Sequence, residues 1–248
     1  MDRYALTFPV RPGTEEQVAA ILADYPSPET IIDGTNRLLA TTVFMAGHHV
    51  VRVIEVEGPL PLIVRHLQQD ERIRQVEQSL NPFLQVPRDL TDPGSAKEFF
   101  ARAFMTRIVH RATEAPALAG GVVSRVGLRY PLKPGAGQEF DRVLSFEHAA
   151  PPQAQAAGRM PSHNGRAVES TSVFRKDDLA VRLIVVRGDV AAALEEMAAE
   201  AAAAHMADAL QGLVDTEHDL TTAAGFGRFL SANLMRVVTD RSAELSAR

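Results

Sequence analysis

The sequence predicts an α+β protein built from two copies of one unit, one in each half of the chain, and three self-similar blocks predict it. Near the start of each half, Phe8-Pro9-Val10-Arg11-Pro12-Gly13 matches Tyr130-Pro131-Leu132-Lys133-Pro134-Gly135 at an offset of 122. Further on, Thr41-Thr42-Val43-Phe44 matches Thr171-Ser172-Val173-Phe174, and the run from Val51 to Gly58 matches the run from Val181 to Gly188, both at an offset of 130. The added residues belong in the stretch from His148 to Ser170, rich in Ala, Gln, Pro and Gly, where an insertion is tolerated. The same register continues through Asp89-Leu90-Thr91 against Asp219-Leu220-Thr221, and through Phe99, Phe104 and Met105 against Phe229, Leu234 and Met235. Residues 112–121 read as a linker, which divides the chain into a first repeat at 1–118 and a second at 119–248.

Within the first copy, Tyr4 to Pro9 reads as a strand stopped by a Pro-Gly turn. Thr14 to Tyr25 reads as a helix whose inner stripe is Val18, Ile21 and Leu22, with Thr14 and Gln17 in a capping-box pattern. Leu38 to Met45 and His49 to Glu57 are rich in β-branched residues and form a hairpin around Ala46-Gly47-His48. A helix from Pro59 to Gln69 carries Leu60, Ile63, Val64 and Leu67 on one face. Its phase then slips, because Ile73, Val76 and Leu80 fall on another face, so a break is expected near Asp70 with a second short helix beyond it. A short strand at Phe83 to Val86 and a last helix from Ser95 to Arg111 close the unit, and the second copy repeats the series, ending in a helix from Ala223 to Asp240. This order is the ferredoxin-like β-α-β-β-α-β arrangement with one helix added. Two such units can each cover one sheet face with helices and pack the other faces sheet to sheet, giving a fused dimeric α+β barrel.

Composition narrows the chemistry. The absence of cysteine removes disulfides, thiolate nucleophiles and iron-sulfur clusters. A net charge of -5 with both signs interspersed offers no basic stripe for nucleic acid or an anionic membrane. No apolar run is long enough to span a bilayer, and the N-terminus lacks a basic region followed by an apolar one, so a cytoplasmic protein acting on a small molecule is expected. Monomer and homodimer both stay open.

Four strings carry a family resemblance: Tyr4 to Gly13; Thr41-Thr42-Val43-Phe44-Met45 with Val51-Arg52-Val53-Ile54; Leu80-Asn81-Pro82-Phe83 with Pro87-Arg88-Asp89-Leu90; and Phe99-Phe100-Ala101-Arg102-Ala103. They resemble the SchA/CurD-like family of actinomycete gene clusters for aromatic polyketides and spore pigments. The resemblance implies a tailoring oxygenase, a hydroxylase or monooxygenase acting on a polycyclic aromatic intermediate without flavin or metal, with molecular oxygen as co-substrate. A polyketide cyclase and a non-catalytic polyketide-binding protein are the alternatives. Fold alone does not choose between them.

The repeat itself suggests where to look for the site, since a residue that differs between copies at a core position is a better functional candidate than one present in both. If Ser95 to Arg111 is one helix, Arg107 falls near the centre of the arc formed by Phe99, Phe100, Ala103, Phe104 and Ile108, whereas the second copy has Val237. Arg107 could hold a phenolate or carbonyl there, or could snorkel to pair with a carboxylate. His110, opposite Asp240, could be a general base or a helix cap. His66 stands where the other copy has Glu196, and His205, among alanines, where it has Gln75. These four, Arg107, His110, His66 and His205, are the expected catalytic residues. Arg52 and Arg182 occupy the same position in both copies and read as structural ion pairs between the sheets. No spacing of histidines and carboxylates suggests a metal, and Gly225-Phe226-Gly227 lacks the strand and third glycine of a nucleotide loop. Haem through a single histidine stays open, because one ligand leaves no motif.

Overall fold

The structure, a computed structural model, describes residues 1–24, 32, 35–112, 122–149, 168–203 and 206–242. It contains two compact units, each with a four-stranded antiparallel sheet and its own helices. Among the described residues no helix is long and apolar enough to cross a membrane.

In the first unit, β1 (Asp2–Pro9) leads through a tight turn to α1 (Glu15–Ala23), followed by β2 (Arg37–Ala46) and β3 (His49–Glu57). Gly13 turns the chain at φ +85°, and Gly135 does the same in the second copy at φ +79°, a conformation that a side chain would strain. Thr14 caps α1 by position, but its hydroxyl donates to the Arg11 carbonyl, so the expected capping box does not form. The break near Asp70 is present. α2 (Leu60–Gln69) ends there, and α3 (Glu71–Leu80) starts with the Asp70 carboxylate accepting from the Arg72 amide at 2.9 Å. A 3₁₀ turn at Asn81–Phe83 and α4 (Pro93–Ala103) follow. The expected closing strand at Phe83 to Val86 reduces to one bridge between Leu84 and Val10.

The second unit repeats the series with β5 (Val123–Pro131), α5 (Gly137–Ala149), β6 (Val168–Lys176), β7 (Leu179–Arg187), α6 (Val190–Ala203), α7 (Met206–Leu213) and α8 (Ala223–Ala232). The duplicated Asp-Leu-Thr strings make the same turn. Thr91 and Thr221 each donate both amide and hydroxyl to the carboxylate two residues earlier, which lowers the pKa of Asp89 and of Asp219 through those hydrogen bonds.

The ends of the repeats depart from the expected helices. α4 stops at Ala103, Phe104 turns extended at φ -62° and ψ 133°, and Thr106–Ala112 is a strand, β4. In the same way Arg236–Ser242 is a strand, β8, rather than the end of a helix. These strands are exchanged: β8 pairs with β2 to give the order β1-β3-β2-β8, and β4 pairs with β6 to give β4-β6-β7-β5. The compact units are therefore Met1–Met105 with the stretch from Arg236, and Thr106–Met235, a division that differs from the linear one at 118/119. Both exchanged strands carry a bulge at the same repeat position, at Ile108 and Val238, and both residues pack into the core of the sheet they join.

In the first unit Leu6, Phe8, Val43, Met45 and Val50 line the helix-facing side of the sheet and pack under Val18 and Leu22 of α1, Leu80 of α3 and Phe99 of α4. α2 covers the other end of that face through Ile63, against Leu38, Ile54 and Val56.

Candidate functional site

Glu77 is on the buried stripe of α3, between Ile73 and Leu80 at helical spacing, so the helix that covers the sheet necessarily carries a carboxylate inward. Two arginines meet it. Arg88 binds Oε2 through Nε at 3.0 Å and through Nη2, and Arg52 of β3 approaches Oε1 at 3.6 Å. Side-chain exposure is 2% for Arg88, 9% for Glu77 and 15% for Arg52, so the cluster is removed from water and its internal attraction is correspondingly strong. Burial pushes the Glu77 carboxyl up, but the Arg88 and Arg52 guanidiniums more than offset this and hold it below the ordinary glutamate value.

The surrounding chain keeps Arg88 in place. Its guanidinium lies 4.3 Å from the Phe8 ring centroid and 4.1 Å from that of Phe99, in the geometry of a double cation-π contact. Its backbone is clamped by the Asn81 amide, which accepts from the Arg88 N–H at 2.9 Å and donates to the Arg88 carbonyl at 2.6 Å. The loop is tied in turn to the Pro-Gly turn, since Arg11 donates from Nε to the Leu84 carbonyl and Gln85 donates to the Val10 carbonyl. The Asn-Pro-Phe and Pro-Arg-Asp-Leu strings thus have a joint purpose, to place one guanidinium. Asn81→Ala removes both bonds and leaves partly buried backbone groups without them; an unfolding free energy lower by about 1–3 kcal/mol in urea titration is expected.

Beside this cluster is a cleft that opens to solvent. Leu6, Ile54, Val64, Leu67, Ile73 and Leu90 give it apolar walls, and Phe99, Phe100 and Phe104 give it an aromatic one. Phe100 and Phe104 are stacked at 5.5 Å between centroids, and Phe99 and Phe100 are tilted at 5.2 Å. The polar groups at the cleft are Arg52, Glu77, Arg88, Arg74 and Gln68. Apolar walls with a few convergent charged groups are the usual make-up of a small-molecule site, and the aromatic ledge suits a flat ligand.

The second repeat does not reproduce this. At the positions of Glu77 and Arg88 it has Ala207 and His218, and Tyr130 replaces Phe8. Phe140 and Phe226 stand where the first copy has the smaller Val18 and Ala96, and all four are buried. Arg182, matching Arg52, donates from Nε to the Thr171 hydroxyl at 2.8 Å. The expectation that Arg52 and Arg182 form equivalent pairs between the sheets is therefore corrected. Arg52 faces the helices of its own unit and binds Glu77, so a duplicated arginine has acquired different partners in the two copies.

The residues expected to be catalytic lie elsewhere. Arg107 and His110 are on β4 in the second unit, not on a helix, and both are exposed rather than on an apolar face. The His110 Nδ1 is 2.9 Å from the Ser172 hydroxyl. His66, half-buried in the last turn of α2, is not among the residues lining the cleft, although Leu67 and Gln68 beside it are. His205 lies outside the described residues. Among the described residues, no group of three or more histidines, aspartates and glutamates is arranged to hold a metal ion.

Comparison with known proteins accounts for both copies. The profile of the SchA/CurD like domain matches residues 1–113 and 123–243. The chain belongs to this family. A 42.8 kDa protein of the whiE locus of Streptomyces coelicolor is 42% identical over 96% of this chain and 58% of its own length. Protein SchA of Streptomyces halstedii is 36% identical over 98% of the chain and 62% of its length, and a protein named polyketide synthase CurD, from Streptomyces cyaneus, is 43% identical over 75% and 48%. The chain thus spans about half to three-fifths of the length of these curated relatives. Among solved structures, a Lactobacillus acidophilus protein proposed to be a monooxygenase aligns with a TM-score of 0.47 at 8% identity, covering 97% of this chain and 95% of its own. An anthrone oxidase-like protein aligns with a TM-score of 0.40 at 11% identity, covering 99% and 94%. Likeness at this level bears on neither chemistry nor substrate.

Proposed function

We propose that this SchA/CurD-like chain is a tailoring oxygenase that acts on a polycyclic aromatic polyketide intermediate, without flavin or metal. The observation that carries this reading is the cleft of the first unit, an apolar enclosure with an aromatic ledge on one side and a buried Arg52–Glu77–Arg88 cluster on the other. The polyketide substrate class is supported by the name of the Streptomyces cyaneus relative.

In such a site the substrate supplies the electrons. An ionised phenol ring is electron-rich enough to reduce dioxygen, so the protein has to ionise it, exclude water and stabilise charge. The ring stacks on Phe100 and Phe104, and its oxygen faces Arg52. The anion's electron pair forms a carbon–oxygen bond to dioxygen, and the peroxide takes a proton from solvent to become a hydroperoxide. Loss of water, which breaks the O–O bond and the C–H bond at that carbon, leaves a carbonyl with one oxygen atom in the product and the other in water. Arg52 stabilises the oxyanion throughout, and the Glu77–Arg88 pair keeps Arg52 in position.

The same charges would also stabilise the enolate of a cyclisation, so a cyclase is the second reading. Incubating the purified chain with a hydroxyanthracene-type substrate under labelled dioxygen, and in parallel without oxygen, separates the two. The expected result is label in the product and no turnover in the anaerobic arm. Unlabelled product formed equally in both arms would replace the oxygenase with the cyclase, and unchanged substrate in both would sink both readings.

A further inference from the structure

The charged side chains that border the cleft come from three places: Arg52 from β3, Arg74 and Glu77 from α3, and Arg88 from the loop after it. α2 adds the uncharged Gln68, and β1 and α4 add only apolar groups. Glu71 offsets Arg74, so Arg52 and Arg88 against Glu77 leave one positive charge in excess where charge is weakly screened. The arginines are not equivalent. Arg88 is locked between two phenyl faces and directs its Nε and Nη2 at Glu77, whereas Arg74 is more exposed and pairs with Glu71 on its own helix. Arg52 combines burial with a long contact, 3.6 Å, to the Glu77 oxygen that Arg88 does not use. Its neighbours on the sheet, Leu6 and Ile54, are themselves walls of the cleft.

We propose that the cleft takes its ligand as an anion, with an enolate or phenolate oxygen set against Arg52 and the ring plane against Phe100 and Phe104. The proposal rests on the cleft being the substrate site and adds that ionisation accompanies binding itself, before oxygen or any turnover. Binding a phenol there releases its proton to the solvent, so its pKa is lower in the cleft than in water. Removing Glu77 would not create this site, because the carboxylate orients Arg52 while cancelling part of the charge. The second copy, with Ala207 and His218 in place of the pair, has not kept the constellation.

The probe is 1,2-dihydroxyanthraquinone, whose visible band moves to longer wavelength on ionisation. Its absorbance is titrated against pH free and bound to the full chain, with retention on dialysis reporting binding. The expected result is a midpoint lower by about 1–2 pH units in the bound dye. Arg52→Gln returns the midpoint to the free value while dye is still retained, Arg52→Lys keeps part of the shift, and Arg102→Gln on the exposed side of α4 leaves it unchanged. An unmoved or raised midpoint in the unsubstituted protein, no retention of dye, or a shift that survives Arg52→Gln would overturn the proposal. A lowered midpoint without oxygen incorporation retains the anion site and removes the oxygenase, whereas incorporation with an unmoved midpoint does the reverse.

Discussion

Glu77→Gln lowers the unfolding free energy by about 3–5 kcal/mol, because it leaves the Arg52 and Arg88 guanidiniums buried around a neutral group. The geometry explains why the effect is large. Arg88 is sealed between Phe8 and Phe99 and its backbone is clamped by Asn81, so it cannot swing to water when its partner is removed. The double variant Glu77→Gln, Arg88→Met is less destabilised than the sum of the two single ones, as expected for groups in direct contact. Urea titrations of all three variants measure both effects. The pair also sets the acid response. With its folded pKa held below the ordinary value of 4.5, Glu77 stabilises the fold fully above pH 4.5. That contribution is lost progressively as pH falls from 4.5 through the lower folded value. The unsubstituted protein therefore loses stability more steeply over this window than Glu77→Gln does, and equal slopes for the two would show that the fold does not hold the Glu77 carboxyl below its ordinary value.

Arg52→Gln is expected to lower turnover of a hydroxyanthracene substrate by about 10²–10³-fold with a smaller change in KM, since the interaction it removes matters most when negative charge sits on the reacting ring. Arg52→Lys keeps a charge but loses the planar fork and recovers only part of the rate. The matched substitution Arg182→Gln leaves turnover unchanged, because that guanidinium serves Thr171 in a unit without the carboxylate. Steady-state kinetics with a circular dichroism check on folding distinguish the outcomes. An equal loss from Arg52→Gln and Arg182→Gln would place the chemistry outside the cleft of the first unit.

Much of the site was legible in the residues, but under a different description. The strings Asn81-Pro82-Phe83 and Pro87-Arg88-Asp89-Leu90 stood out as family features, and the structure shows them as a clamp and the cation it holds. The two copies also differ at the residues of the buried cluster. Glu77 against Ala207 is a charged residue on the Ile73–Leu80 stripe of one copy only, and Arg88 against His218 is its partner. Arg107 drew attention through an assumed continuation of α4. The run Thr106–Ala112 has apolar residues that fit a helical stripe as well as a bulged strand, and a run so short does not separate the two. What decides it is a partner strand beginning at Val168, too far along the chain to leave a local signature.

The division follows the range of the forces. Residue pattern alone determined the duplication, the α+β class, the order of elements as far as the break at Asp70, and the hairpins, because turns, caps and apolar periodicity act between residues a few positions apart. Tertiary structure alone decided that the two repeats exchange their last strands, that Arg52 and Arg182 part company, and that one unit has a charged cleft. Each of these depends on which distant groups meet in a low-dielectric interior, where a buried charge is tolerated only beside its partner.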